Sequence, residues 1–554
     1  MWLDEIDEIF KGFLPYYILV FLPIFIIVSP VNPVNASHEF PIYRMQHFDL
    51  HGVSYGSRSS AVNLEAKSLS TWSAFRHCVM TRLTDLTVDA FRQIRSKAGA
   101  LIIELPPNIS TISQEQKQSI QLLEHKMLYE QEISIPVYFI NYDPKIDEII
   151  SELSSSGEAN EKSSAAQAMY SSIAANGYQI IIPSSNSKTN IKIPTLHGHL
   201  SGYRPQGKIP TVAIVTHYDS FGASPDLSFG ADSNGSGVIV MLELIRLFSG
   251  LYKDPQTRGK YNILFVLAGG GKINYQGTKK WLEDQLDSSE GSLIQDASFV
   301  LCLDTLATSD TIYMHVSKPP KEGTPSSNFY KNLKSIGETH ENVTIEGVHK
   351  KINLAEDLLG WEHERFSIRR LSAFTLSSIK SHKDPWRSTI IDAKDNVDVK
   401  RLQRNAEIIV DALGKFIYDT TDIFGAGWNV SGDAVESWMD YLSSQPRSPQ
   451  LLTAKDHPLL VALQDDFNKY LRDVKVTYAV PDKRDPDYQF YSSTGGIMHI
   501  YSVKPALFDL VLTIAIAIYL SAVYFVINFV PTLYELSTNF MRTTTTTTTK
   551  IKIR

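Results

Sequence analysis

The chain has 554 residues and a formal net charge of −7; 43% of its residues are hydrophobic and 20% charged. That length accommodates one or two cores, the composition excludes disorder for most of the chain, and the lack of a basic excess excludes the electrostatics that nucleic-acid phosphates demand. Two cysteines, Cys78 and Cys302, are too few for a disulfide framework.

Phe13 to Val28 is an apolar run of 16 residues, the length of a signal h-region rather than of a full membrane span. Val34 and Ala36 stand where signal peptidase reads small residues, so residues 1–36 are expected to be a signal peptide. The acidic flank, Asp4, Glu5, Asp7 and Glu8 against Lys11, keeps an uncleaved anchor as the alternative.

Residues 37–205 are expected to form an N-terminal α/β domain. "GALIIELP" and "IPVYFINYD" read as buried strands, and the Ser-, Ala- and Gly-rich stretch 154–177 reads as a loop running into a helix. "GYRPQGKIP" marks the boundary.

From Thr211 strands and helices alternate. "TVAIVTHYD", "YNILFVLAG" and "ASFVLCLDTL" are strands; "GVIVMLELIRLF", "GTKKWLEDQL" and "KRLQRNAEIIVDALGKFIY" are helices. This predicts an α/β fold over 206–420, a mixed sheet flanked by helices. Ligands of such sheets gather at the carboxyl ends of strands, where His217, Asp219 and Asp304 fall.

Residues 421–505 read as a helical connector. Leu510 to Val530 is 21 residues without a charge, which at about 1.5 Å per residue crosses a bilayer core of about 30 Å, so a single transmembrane helix is expected over 508–530. The tail 531–554 carries Arg542, Lys550, Lys552 and Arg554 beside a low-complexity threonine run; the positive-inside rule assigns it to the cytosol and the bulk of the chain to the lumen. Sequons at Asn108, Asn234, Asn342 and Asn429 are glycosylation candidates, and a glycan on Asn234 would stand at the mouth of the site.

A two-metal hydrolase needs carboxylates and imidazoles around paired cations, plus a base for the bridging water. His217 is a candidate ligand with Asp219 orienting it, Asp232 in "GADSNGSG" a bridging ligand, and Asp304 in "CLDT" a third. An Asp opening a helix is by itself more often a simple N-terminal cap; the order and context of the three together carry the signal.

That run resembles the M28 family of zinc aminopeptidases. By "GADSNGSG", "GGGKINYQGTKKWLED", "HVSKPP" and "HKKINLAED", with leader and C-terminal helix, nearly the whole chain is similar to the nicalin family, relatives of nicastrin. The M28 resemblance puts the first His on His217, the bridging Asp on Asp232 and the later Asp ligand on Asp304. It puts the base and ligand glutamates on Gly271 and Lys272, and the last ligand His on Ser388 in "STIIDAKDNVD". No carboxylate lies between Phe265 and Leu282. His382, six residues before Ser388, is the substitute a loop could supply, whereas His349 and His363 read as structural or surface histidines.

With a base missing and an ammonium added, two Zn²⁺ ions meet too little negative charge. The expectation is a pseudo-peptidase with no metal and no cofactor, in which Lys272 replaces the metal by pairing with Asp232 or Asp304. The nicalin resemblance implies a non-catalytic scaffold of the endoplasmic reticulum membrane that assembles with Nomo and a small multi-spanning protein in a translocon-associated complex for multi-pass membrane protein biogenesis, and is linked to nodal signalling in vertebrates. The alternatives are an active zinc aminopeptidase, with one metal on His217, Asp232 and Asp304 and Glu283 considered as base, and a nicastrin-like substrate receptor.

Overall fold

The structure, a computed structural model, describes residues 38–536 except 59–60, 74–75, 130–131, 162–176, 185–187, 190, 289–291, 357, 421–428, 483, 485, 492–493, 504–509, 526, 530–531 and 533–534. The expected signal peptide and nearly all of the expected cytosolic tail, with its basic residues, lie outside the described residues.

β1 (His38–Arg44) leads to β2 (His47–Leu50) and β3 (Val53–Gly56), a hairpin turning at His51 and Gly52, both at positive φ. β4 (Val62–Ser68), β5 (Cys78–Arg82), β6 (Ala100–Glu104) and β7 (Val137–Ile140) pair in parallel, with α1 (Val88–Lys97) and α2 (Gln114–Tyr129) in their crossovers. α3 (Pro144–Glu161) precedes β8 (Gly177–Ile182) and β9 (Lys188–Thr189). Every residue of β6 and β7 is buried, as central parallel strands covered on both faces require.

β10 (Ile193–Leu200) and β11 (Thr211–His217) are followed by α4 (Gly235–Lys253), β12 (Asn262–Ala268), α5 (Gln276–Leu286), β13 (Ala297–Leu303) and β14 (Thr311–Val316). Next come α6 (Pro325–Gly337), β15 (Thr344–His349), α7 (His363–Ile368), β16 (Ala373–Ser377) and α8 (Val399–Tyr418). α9 (Gly432–Ser443), α10 (Pro458–Tyr470), β17 (Arg472–Ala479), β18 (Tyr488–Tyr491), β19 (Gly495–Val503) and the apolar α11 (Leu510–Phe529) complete the chain.

An eight-stranded mixed sheet runs β15-β14-β16-β13-β11-β12-β10-β17. Its centre, β12-β11-β13-β16, is parallel, so His217 and Asp304 emerge from one edge. On one face Ile214, Phe265 and Leu301 pack against Val238, Met241 and Ile245 of α4 and Leu402, Ile409 and Leu413 of α8. On the other, Val215, Val266 and Val300 pack against Trp281 of α5 and Phe366 of α7. The α4 helix is apolar enough to pass for a membrane span, yet 83% of its window is buried, whereas none of that of α11 is, at a mean hydropathy of 2.6. That contrast identifies α4 as a core helix and leaves α11 as the membrane-spanning candidate.

The second sheet, β1-β19-β8-β4-β5-β6-β7, closes on itself through pairing of β1 with β7. A four-stranded sheet, β3-β2-β18-β9, packs Phe48, Tyr488 and Phe490 with Phe221 and Ile273 of the site loops.

These pairings correct the expected boundaries. β10 lies inside 37–205 but bridges β12 and β17 in the eight-stranded sheet. The stretch 421–505 is not a helical connector: β17 extends one sheet, and β19 inserts between β1 and β8 of the other. Met498 and Ile500 are buried on one face of β19 while His499 and Tyr501 stand on the other, so the strand is held by the period-2 pattern of a half-buried sheet. Residues 154–161 continue α3 rather than forming a loop.

Candidate functional site: a sealed peptidase-like centre

His217 ends β11, Asp304 follows β13, and Asp232 lies on the loop that opens α4; all three are buried. His217 turns Nδ1 toward Glu362 Oε2 at 3.4 Å, while Oε1 of Glu362 accepts the Thr278 hydroxyl at 2.6 Å. Asp219 does not orient His217. Its carboxylate accepts the backbone N–H groups of Gly271 at 2.8 Å and Lys272 at 3.0 Å, fixing the loop after β12. That loop lies against the imidazole so closely that a Cβ on Gly271 would stand 2.2 Å from His217 Cγ.

Both oxygens of Asp232 are taken. Oδ1 accepts Leu306 N and Ala307 N, each at 3.0 Å; Oδ2 accepts the Trp386 indole N–H at 3.2 Å and the Thr308 hydroxyl. Burial raises its pKa against these bonds. Behind it Asp392 accepts Asp232 N at 2.8 Å and Ser233 N at 2.7 Å, and burial, with the nearby Asp232 charge, pushes Asp392 up to about 7.

Asp304 accepts the Thr305 hydroxyl at 2.7 Å and pairs with the guanidinium of Arg387. Burial alone would raise its pKa, but Arg387 and then Lys272 outweigh burial and hold it well below the carboxylate range. Arg387 is tightly framed: it donates to Gly360 O at 3.0 Å, His382 O at 3.2 Å and Tyr275 Oη at 3.1 Å, and lies 4.4 Å over the Trp361 ring.

Lys272, expected to pair with Asp232 or Asp304, forms no ion pair with either. Its Nζ donates to Ser233 Oγ at 2.5 Å, and burial pulls it down to about 8 although Asp304 pulls the other way. The cationic contact to Asp304 is made by Arg387, the residue before Ser388. Ser388 is buried and hydrogen-bonded to Tyr129. The ring of His382 packs on Gly360, and burial, with Lys350 and Arg387, pushes it down to about 4. Glu283 pairs with Arg369 at 3.1 Å on α5. His349 is exposed, and His363 is buried against Thr375.

Asn234 is not at a mouth. It is fully buried, donating to Thr216 Oγ1 at 2.8 Å and to His217 O and Leu303 O at 3.0 Å, while its Oδ1 accepts Thr305 N at 3.0 Å. A glycan there is incompatible with this fold. Asn108, Asn342 and Asn429 are exposed.

Zinc does not fit this donor set. The lone pairs a metal would use on Asp232 are spent on N–H and O–H donors, those of Asp304 face a guanidinium, and an ammonium lies beside them.

Residues 197–413 match the family model for Peptidase family M28. The chain is 42% identical to the BOS complex subunit ncln of Danio rerio over 95% of this chain and 96% of that one, and 41% identical to the BOS complex subunit NCLN of Homo sapiens over 96% and 98%. The chain belongs to the nicalin family. Its fold is also that of the crystal structure of nicastrin, the gamma-secretase component, at a TM-score of 0.58 and 12% identity over 83% of this chain and 99% of that one.

The centre of this nicalin-family chain rests on residues that the M28 motif does not point to. Arg387 and Glu362 complete it, and Arg447 locks it from the segment after α9. Fully buried, Arg447 donates to Tyr218 O at 3.0 Å and to Gly230 O and Leu442 O at 2.6 Å, which ties the loops after β11 and before α4 together. The sequence signal for Arg387 was its position directly beside Ser388, which the M28 resemblance aligns with a ligand His. Arg447 carried no such signal, because its partners are backbone carbonyls.

Proposed function

We propose that this chain is a non-catalytic, peptidase-like scaffold subunit of a membrane protein complex. One observation carries the reading: every carboxylate that the M28 arrangement would offer to a metal is committed to a protein donor, Asp304 to Arg387 and Asp232 to Leu306, Ala307, Thr308 and Trp386. Hydrolysis of that kind needs an activated water and a base, and Gly271 and Lys272 supply neither. His217, Asp232 and Asp304 are then vestigial ligand positions.

The relatives' name, BOS complex subunit, supports membership of a complex, and α11 supports membrane residence. By family resemblance the setting is the endoplasmic reticulum membrane, with the bulk of the chain lumenal and the tail cytosolic. The partners are Nomo and a small multi-spanning protein, in a translocon-associated complex that serves multi-pass membrane proteins.

The test has two parts. The full chain, purified in detergent, exposed to zinc and dialysed, should retain under a tenth of an equivalent of zinc by elemental mass spectrometry and cleave no aminoacyl reporter; one or two held equivalents would return the metallopeptidase. Affinity capture from membranes should recover Nomo and a multi-spanning partner, whereas recovery of an intramembrane protease instead would favour the nicastrin-like receptor.

A further inference from the structure

In front of the sealed centre lies a cavity of about 450 Å³ between the two domains, within the roughly 300–1,000 Å³ typical of small-ligand sites. Tyr55, His125 and Tyr129 come from the N-terminal domain; Lys272, Tyr275 and Arg387 come from the peptidase-like one. The buried carboxyls Asp219, Asp232, Asp304, Glu362 and Asp392 do not line it, whereas Lys272, Arg387 and Lys383 do. The cations therefore stand between the carboxylates and the space. Among the described residues the wall carries two acids, Glu356 and Asp384, and one oxygen of Asp384 accepts Trp386 N at 3.0 Å.

Lys272 is the unusual member of this wall. An ammonium has three N–H donors, and the acceptor seen within reach is the neutral Ser233 hydroxyl. No carboxylate lies within ion-pair distance of Nζ among the described residues. Nε of Arg387 is buried and also lacks an acceptor. Beside these donors Leu358, Leu359 and the ring of Tyr275 form an apolar and aromatic surface.

We propose that this cavity binds a short peptide segment through its carboxylate, which Lys272 receives, with the neighbouring side chain against Leu358, Leu359 and Tyr275. The inference rests on the metal-free reading above, since a metal would take the same place. A carboxylate is favoured over a phosphate because phosphate sites are built from clustered backbone N–H groups or arginine forks. Here the N–H groups of Gly271 and Lys272 are spent on Asp219, and the Arg387 fork is spent on Asp304, backbone carbonyls and Tyr275. The carboxylate can belong to a chain terminus or to an acidic side chain.

The test is titration calorimetry on the full chain in detergent after EDTA treatment. The probes are acetyl-Ala-Phe with a free carboxylate, its C-terminal amide, acetyl-Asp-Phe-amide and inorganic phosphate. At least one carboxylate probe should bind with a Kd below about 1 mM, and the neutral amide at least about tenfold more weakly. Preference between the two carboxylate probes identifies a chain terminus or a side chain. Lys272→Met should weaken binding about tenfold or more, and Leu358→Trp, which fills the cavity and spares the charge, should abolish it with an unchanged melting curve. Equal binding of acid and amide, no binding at all, or tighter binding of phosphate overturns the proposal. Absence of binding in a zinc-free chain removes this inference alone, whereas binding that appears only after zinc loading removes the scaffold reading as well.

Discussion

Arg387 and Asp304 form the ion pair at the heart of the peptidase-like centre, with the Asp304 side chain buried and the Arg387 side chain 12% exposed. Removing one member of such a pair strands the other charge, at about 3–5 kcal/mol. Arg387→Met is therefore expected to lower the unfolding free energy by about that amount in urea titrations, while Arg387→Met combined with Asp304→Asn recovers much of the loss. Equal destabilisation by the single and double variants would show that packing on Trp361, rather than charge, is what Arg387 contributes.

Placing glutamates at 271 and 272, where the M28 resemblance aligns them, should fail for a steric reason. A Cβ at Gly271 would lie 2.2–2.4 Å from three atoms of His217, and the loop cannot retreat while Asp219 holds both its N–H groups. Gly271→Glu with Lys272→Glu is expected to cost at least about 1–3 kcal/mol, the scale of overpacking a filled core. It should yield neither stoichiometric zinc in elemental analysis nor aminopeptidase turnover. Retained stability together with bound zinc would show that the loop relaxes and that the side chains at 271 and 272 alone keep zinc out.

The alternating strands and helices of the mixed α/β sheet and the strand-end placement of His217 and Asp304 were readable because both are local: apolar β-branched runs set the strands, and the residue after each run sits at the sheet edge. Asp219 and Lys272 were legible as positions but not as partners. Whether Asp219 meets an imidazole or two backbone N–H groups depends on a loop 52 residues further along. Arg387 reaches Asp304 across 83 residues, and β19 meets β1 across more than 450 positions. No periodicity within one segment encodes such pairings. The stretch 421–505 reads as a helical connector, and neither the strand at Met498 and Ile500 nor the sheet it joins is foreseen in that reading.

Burial of Asn234 inverts the expectation for its sequon. Asn234→Gln should leave any glycosidase-sensitive mobility shift intact, since a shift can arise from Asn108, Asn342 or Asn429, which are exposed. The longer amide cannot keep its bonds to Thr216, His217, Leu303 and Thr305 together. Each buried group left unpaired costs about 1–3 kcal/mol, so a large fall in melting temperature is expected. Loss of a glycan band in Asn234→Gln would mean that the loop before α4 opens during maturation.

Glu124 of α2 joins the two domains: it is buried and accepts Ile390 N at 3.1 Å, Ala223 N at 3.3 Å and the Thr389 hydroxyl. Burial pushes its pKa from 4.5 up to about 7, although these three donors act the other way. A folded-state pKa above the unfolded one means that the native state holds the proton more tightly. The contribution is therefore full below about pH 4.5, declines as pH rises and is lost above about pH 7, by on the order of 3 kcal/mol. Glu104 and Asp392 are also raised to about 7, so the comparison that isolates Glu124 is with Glu124→Gln, a neutral isostere. Its stability relative to the unaltered chain should rise between pH 4.5 and 7.5 in urea titrations. Glu124→Ala should lie about 1–3 kcal/mol below Glu124→Gln at every pH, because it leaves Ile390 N and Ala223 N unpaired. Parallel pH curves for the unaltered chain and Glu124→Gln would show that Glu124 stays ionised in the folded protein and that its hydrogen bonds outweigh its burial.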